Sequence, residues 1–126
     1  MNIILWIIAA VLAVAVIVSG GLKLSRPKDA LVGLGMEALE PLPPRMIKIL
    51  GGLEVAAALG LVLPAVTGVA PILVPLAALG IVLIMIGAVT AHARRNELPM
   101  VAVTAALLLL AAVVVWGRFG PYAFTS

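Results

Sequence analysis

Four long apolar stretches, at roughly 3–24, 45–63, 71–93 and 99–116, alternate with short polar or proline-bearing connections. Each is close to the roughly 20 residues that a helix needs to cross a hydrocarbon core. The pattern predicts an all-α fold: an integral membrane four-helix bundle forming a single domain over 1–126. The first stretch, Ile3 to Leu24, has no basic residue before it and is longer than the roughly 7–15 apolar residues of a secretory signal. Ser19-Gly20-Gly21 offers no Ala-x-Ala cleavage pattern, so this stretch reads as an uncleaved span. Pro27 stops it, because its ring cannot continue a helix and disfavours the α region at Arg26.

Between spans one and two, Leu31, Leu34, Gly35, Ala38 and Leu39 keep helical spacing, with Lys28, Asp29, Glu37 and Glu40 mostly on other faces. A short interfacial helix over Lys28 to Glu40, lying among the headgroups, is expected there; a plain structured loop is the alternative. Pro41, Pro43 and Pro44 follow, and Pro44 suits the first turn of the second span, Arg45 to Leu63. Pro64 to Pro71 reads as a tight, uncharged connection containing Gly68. The third span, Pro71 to Ala93, takes Pro75 into its first turn, and the fourth, Pro99 to Trp116, is led by Glu97 and ended by Gly117 to Pro121. Small residues four apart (Gly52-Ala56-Gly60, Gly87-Ala91, Ala9-Ala13) suit close helix packing in lipid, within the bundle or between protomers.

Composition agrees with the pattern. The chain is 65% hydrophobic and 10% charged, too little charge to coat a water-facing surface. The net charge of +3 reads as topology and not as nucleic-acid binding, because the basic residues sit at helix ends. Seven of the eight Lys and Arg (Lys23, Arg26, Lys28, Arg45, Lys48, Arg94, Arg95) fall in the 23–48 and 92–98 connections, and only Arg118 lies on the other side. The positive-inside rule puts those connections in the cytoplasm and both termini outside. Trp6, Trp116, Phe119, Tyr122 and Phe124 all fall near a terminus, as an outer aromatic belt requires.

The polar groups inside the spans mark the candidate chemistry. Glu54 lies about nine residues, or roughly 13 Å, above Arg45 in an otherwise apolar helix. A carboxylate in hydrocarbon costs roughly 2.5–3.5 kcal/mol on insertion scales, so it needs a partner, a proton or a protein-lined cavity. Helical side chains lean toward their own N-terminus. Lys23 and His92 therefore lean into the membrane, while Glu54 and Thr104 lean toward the cytoplasm. Ser19, Lys23, Glu54, Thr90, His92 and Thr104 all fall in the middle or inner half and form the candidate ligand-binding set. Lys48 reads as snorkelling to the headgroups, and Arg94 and Arg95 as topology and lipid contacts.

Other chemistries lack their residues. With no Cys there is no thiolate catalysis and no cysteine-ligated cluster. One His and one intramembrane Glu fall short of a three- or four-ligand metal site. Gly20-Gly21 and Gly51-Gly52 lie within spans and are not phosphate loops, and Asp29, the sole Asp, lies in a connection.

Gly20-Gly21-Leu22-Lys23-Leu24 closes the first helix, and Ile49-Leu50-Gly51-Gly52-Leu53-Glu54 opens the second, with Gly60-Leu61-Val62-Leu63-Pro64 after it. Ala88-Val89-Thr90-Ala91-His92 closes the third, followed by Arg94, Arg95 and Glu97. In order and spacing, over nearly the whole chain, this resembles the DoxX-like family of small bacterial membrane proteins. The resemblance implies a four-helix bundle in a bacterial cytoplasmic (inner) membrane, with Lys23, Glu54 and His92 where the family's polar residues are expected. It implies no one activity, since relatives include a subunit associated with thiosulfate:quinone oxidoreduction and animal proteins that assist receptor assembly.

Two readings of function follow. In the first, a non-enzymatic protein binds a hydrophobic or amphipathic ligand, such as a quinone or lipid, or a membrane partner, through a polar pocket in the inner half of the bundle. In the second, the chain is the quinone-site membrane subunit of a quinone-linked oxidoreductase. It carries no evident cofactor site of its own, so a separate catalytic subunit is required there. Catalytic activity of the chain alone is not expected under either. The partners expected are the lipid bilayer and a membrane-protein partner or a second copy of the chain.

Overall fold

A computed structural model describes residues 2–33 and 41–123. The sequence expectations for Leu34, Gly35, Glu37, Ala38, Leu39, Glu40 and Phe124 lie outside the described residues. Five helices make up the described chain: α1 (Asn2–Ser25), α2 (Lys28–Gly33), α3 (Pro44–Thr67), α4 (Leu73–Arg94) and α5 (Leu98–Phe119). All but α2 are long and apolar enough to cross a membrane. They run up and down in turn, α1 against α3, α3 against α4 and α4 against α5, and α5 returns to α1 and closes the ring. One end of the bundle, here the basic end, gathers the end of α1, α2, the start of α3 and the α4–α5 turn. The other, the terminal end, holds the start of α1 and the end of α5.

Each long helix buries a stripe of positions three and four apart. On α1 these are Leu5, Ala9, Leu12, Val16, Gly20 and Lys23, and on α3 Ile47, Gly51, Glu54, Ala58 and Leu61. Alternating steps of three and four are the seam of helices that cross at a shallow angle. The remaining faces carry Ile3, Ile7, Val14, Leu59, Leu83 and Leu109 outward, as lipid requires. Lipid tails are as apolar as these side chains, so the bundle is held by close packing more than by a hydrophobic effect. The core of Leu12, Val16, Leu61, Val74, Ala78, Ile81, Met85, Ala111 and Val114 provides it.

The helix boundaries depart from the sequence expectation at two places. Helix α3 passes through Pro64, expected to begin a connection, and continues to Thr67. Pro64 removes only one donor, and the helix then closes on Gly68, whose φ of 72° is left-handed and whose N–H donates to the Pro64 carbonyl. Helix α5 continues past Gly117, expected as a stop, to Phe119. Gly117 faces Leu5, and a Cβ there would press into the Leu5 side chain. That glycine makes room for α1 and does not end α5. Pro44 opens α3 and Pro75 lies in the first turn of α4, as expected. Of the helix expected over 28–40, the described part is α2 over Lys28–Gly33, where the fully buried Leu31 packs against Ile47.

Candidate functional site

The site is built where α1 crosses α3. A Cβ on Gly20 would stand 2.7 Å from the Gly51 carbonyl oxygen and 2.9 Å from the Glu54 Cβ. One on Gly51 would stand 2.8 Å from the Lys23 Cβ and 2.9 Å from the Gly20 carbonyl oxygen. The two backbones are in contact because neither residue has a side chain, the small-residue geometry of close helix packing in lipid. Lys23 and Glu54 each lie one helical turn beyond their glycine. Since each side chain leans toward its own N-terminus, the two converge from opposite directions.

Lys23 Nζ donates to Glu54 Oε1 at 2.5 Å and to Ser19 Oγ at 3.0 Å. The side chains of Lys23 and Glu54 are only 10% and 2% exposed. Glu54 Oε2 is buried and has no hydrogen-bond partner among the described residues. A cavity of about 440 Å³ opens beside the pair, with Lys23 and Glu54 in its lining. Leu50, Ile84, Ala88 and Ala91 make its apolar walls, Pro41 and Leu42 close one flank, and Arg94 and Arg95 stand at the end of α4. Gly87 also faces it, and a Cβ there would meet nothing within 4 Å.

Of the six residues singled out in the sequence, the structure brings Ser19, Lys23 and Glu54 together. His92 turns elsewhere, its Nδ1 lying 3.1 Å from Glu97 Oε1 across the α4–α5 turn, where Arg95 Nε also reaches Glu97 at 3.4 Å. Thr90 is exposed and donates to the Ile86 carbonyl of its own helix. Thr104 is buried but donates within α5, to the Met100 and Val101 carbonyls. Neither threonine lines the cavity. No group of three or more His, Asp or Glu that could hold a metal ion occurs among the described residues.

Two polar residues have roles that sequence reading missed. Lys48, expected to snorkel, donates from Nζ to the carbonyls of Lys23 (2.8 Å), Leu24 (3.0 Å) and Arg26 (2.8 Å). It caps carbonyls at and just beyond the end of α1, where none has a partner within the helix, and sets that end against α3. The available signal was a basic residue six positions before Glu54, on the helix that crosses the end of α1. Arg118 is 4% exposed and donates to Asn2 Oδ1 (2.6 Å) and to the Tyr122 carbonyl (2.9 Å). It ties the start of α1 to the chain beyond α5. An arginine directly after a glycine at the end of an apolar helix does not announce which neighbour it will reach.

No curated protein and no solved structure matches the chain. The sequence model of the DoxX-like family matches residues 7–114, which includes α3 and α4, most of α1 and α5, and both members of the buried ion pair. With four helices of membrane-spanning length and a match over most of its residues, this multi-pass membrane protein belongs to the DoxX-like family.

Proposed function

We propose that the protein is a non-enzymatic binder of a small amphipathic molecule, held in the cavity beside Lys23 and Glu54. The observation that carries this reading is Glu54 Oε2, a buried carboxylate oxygen without a partner in a residue that lines a cavity. An unsatisfied polar atom out of water costs about 1–3 kcal/mol, and more when charged, so it is retained where something else satisfies it. The cavity volume lies within the roughly 300–1,000 Å³ of small-ligand sites, and its walls are mostly apolar with a few polar groups, as in such sites generally. In this reading the basic end faces the cytoplasm of a bacterial cell, in accord with the positive-inside rule, and α2 lies at the headgroup level. The ligand then sits in the inner leaflet.

The test is to purify the protein and its Gly87→Leu variant in mild detergent and identify co-purifying small molecules by mass spectrometry. The leucine side chain fills the cavity from a position where a Cβ meets nothing. A molecule retained by the unmodified protein and lost from the variant is the expected result. Equal small-molecule content in two equally stable proteins sinks the reading. Sidedness is checked by single cysteines at Asn96 and Val69, which lie at opposite ends in a chain without native Cys. In inside-out vesicles, only the cysteine at position 96 reacts with an impermeant maleimide.

A further inference from the structure

Resting on that reading, we infer that the ligand is an anionic amphiphile whose head carries a hydroxyl group beside its acidic group, and that it enters sideways from the leaflet at the basic end. Three features lead there.

The first is the unmet demand of Glu54, a residue of the cavity lining. With the Lys23–Glu54 pair ionised, Oε2 is purely an acceptor, and only an O–H or N–H of the ligand satisfies it. A phosphocholine head or an oxidised quinone has no such donor. An ammonium head has donors but brings a further positive charge beside Lys23 and Arg94, where Glu54 is the one carboxylate among the described lining residues. A neutral hydroxyl meets the demand without that repulsion.

The second is the charge near the end of α4. Among the described residues, Glu97 is the acid in contact with this end of α4, and it is already shared by His92 and Arg95. Arg94 has no side-chain partner among the described residues and lines the cavity together with Arg95. An acidic group is the complement, and guanidinium binds phosphate or carboxylate through paired N–H donors.

The third is the apolar exit. Leu42 and Leu50 line both the cavity and a shallow groove on the outer face of α3, completed by Met46, Ile49 and Leu53. Met46, Ile49 and Leu53 are 52%, 55% and 55% exposed, and they stand three and four residues apart on one helix face. The groove starts at the basic end and runs along α3, the direction an acyl chain takes when its head lies at the level of the arginines. The cavity holds the head, and the groove leads the tail into lipid.

Hydroxyl and acid occur together in a phosphatidylglycerol head and in a single-chain hydroxy fatty acid. The probes are these two together with phosphatidylmethanol (anionic, without the hydroxyl), phosphatidylcholine and ubiquinol. Each is added to delipidated protein, and binding is read by native mass spectrometry and by the shift in thermal unfolding. Phosphatidylglycerol is expected to bind about tenfold more tightly than phosphatidylmethanol, the value of one hydrogen bond to a charged group. Glu54→Gln is expected to abolish that preference while keeping the preference for anionic over zwitterionic lipid. Arg94→Gln with Arg95→Gln is expected to do the reverse. Tighter binding of the hydroxy fatty acid, with the same dependence on Glu54, supports the shared chemistry and assigns its source to a single-chain molecule. Equal binding of phosphatidylmethanol, or tighter binding of phosphatidylcholine or ubiquinol, overturns the inference. If those probes bind and are displaced by Gly87→Leu, the cavity still stands as a ligand site. If Gly87→Leu changes the binding of none of them, the cavity reading fails first.

Discussion

Removing Lys23 from the pair is the perturbation that most directly probes the centre of the bundle. In Lys23→Met a side chain of similar length replaces the ammonium, so packing changes little and the charge is lost. Glu54, 2% exposed, then has no partner on either oxygen among the described residues, where Lys23 is the one donor to Oε1 and Oε2 has none. Breaking a buried pair from one side typically costs about 3–5 kcal/mol, and the upper half is expected here because no other donor reaches the acid. Glu54→Leu should cost less, about 2–3 kcal/mol, since Lys23 keeps Ser19 and lies near the helix end, where a long stem reaches polar surroundings. The double replacement removes both charges and leaves apolar side chains of similar volume, and it should lie within about 1 kcal/mol of the unmodified protein. The assay is a reversible unfolding titration with a denaturing detergent in mixed micelles, followed by far-ultraviolet circular dichroism, and repeated at low and high salt. A coupling of at least about 2 kcal/mol, insensitive to salt, is expected of a pair out of reach of mobile ions. Single variants within about 0.5 kcal/mol of the parent, or a double variant as unstable as the sum of the singles, would refute a buried and interdependent pair.

Four further variants test the elements around the pair and the tie at the far end of the bundle. Gly51→Ala forces a Cβ against the Gly20 carbonyl and the Lys23 Cβ and should cost about 1–3 kcal/mol in the same titration; Gly52→Ala, where a Cβ meets nothing, should be neutral or slightly stabilising. Lys48→Met leaves three carbonyls at the end of α1 without their cation and should cost roughly 1 kcal/mol, with faster amide exchange confined to residues near 21–26. Arg118→Met should leave the ion pair intact but release the chain beyond α5, read as earlier proteolytic cleavage near Tyr122 and a loss of about 1.5–3 kcal/mol.

How much of this the sequence discloses depends on contrast between residue types. The four spans are legible because runs of apolar residues are set against polar connections, and Pro44 and Pro75 mark helix starts because their missing N–H groups cost nothing in a first turn. The buried face of each helix is not legible in the same way. Where every position is apolar, the side facing protein and the side facing lipid share one composition, and hydrophobic periodicity carries no signal. Lys23 and Glu54 break that silence. Their cost in lipid requires that they face inward, and their N-terminal lean brings them to a common depth. His92 lacked that constraint. At the end of α4 it lies within reach of the α4–α5 turn, and Glu97 five residues later satisfies it there. Thr90 and Thr104 lacked it too, because a threonine in a helix can return its hydroxyl proton to a carbonyl three or four residues back and so needs no partner on another helix. The residues that sequence reasoning places correctly are those with no local way to satisfy a charge. Lys48 had such a way on paper, the headgroups, and the fold offered a closer one in the open end of α1. The same rule supports the ligand argument: Glu54 Oε2 meets no donor among the described residues, and Glu54 lines a cavity that could admit one.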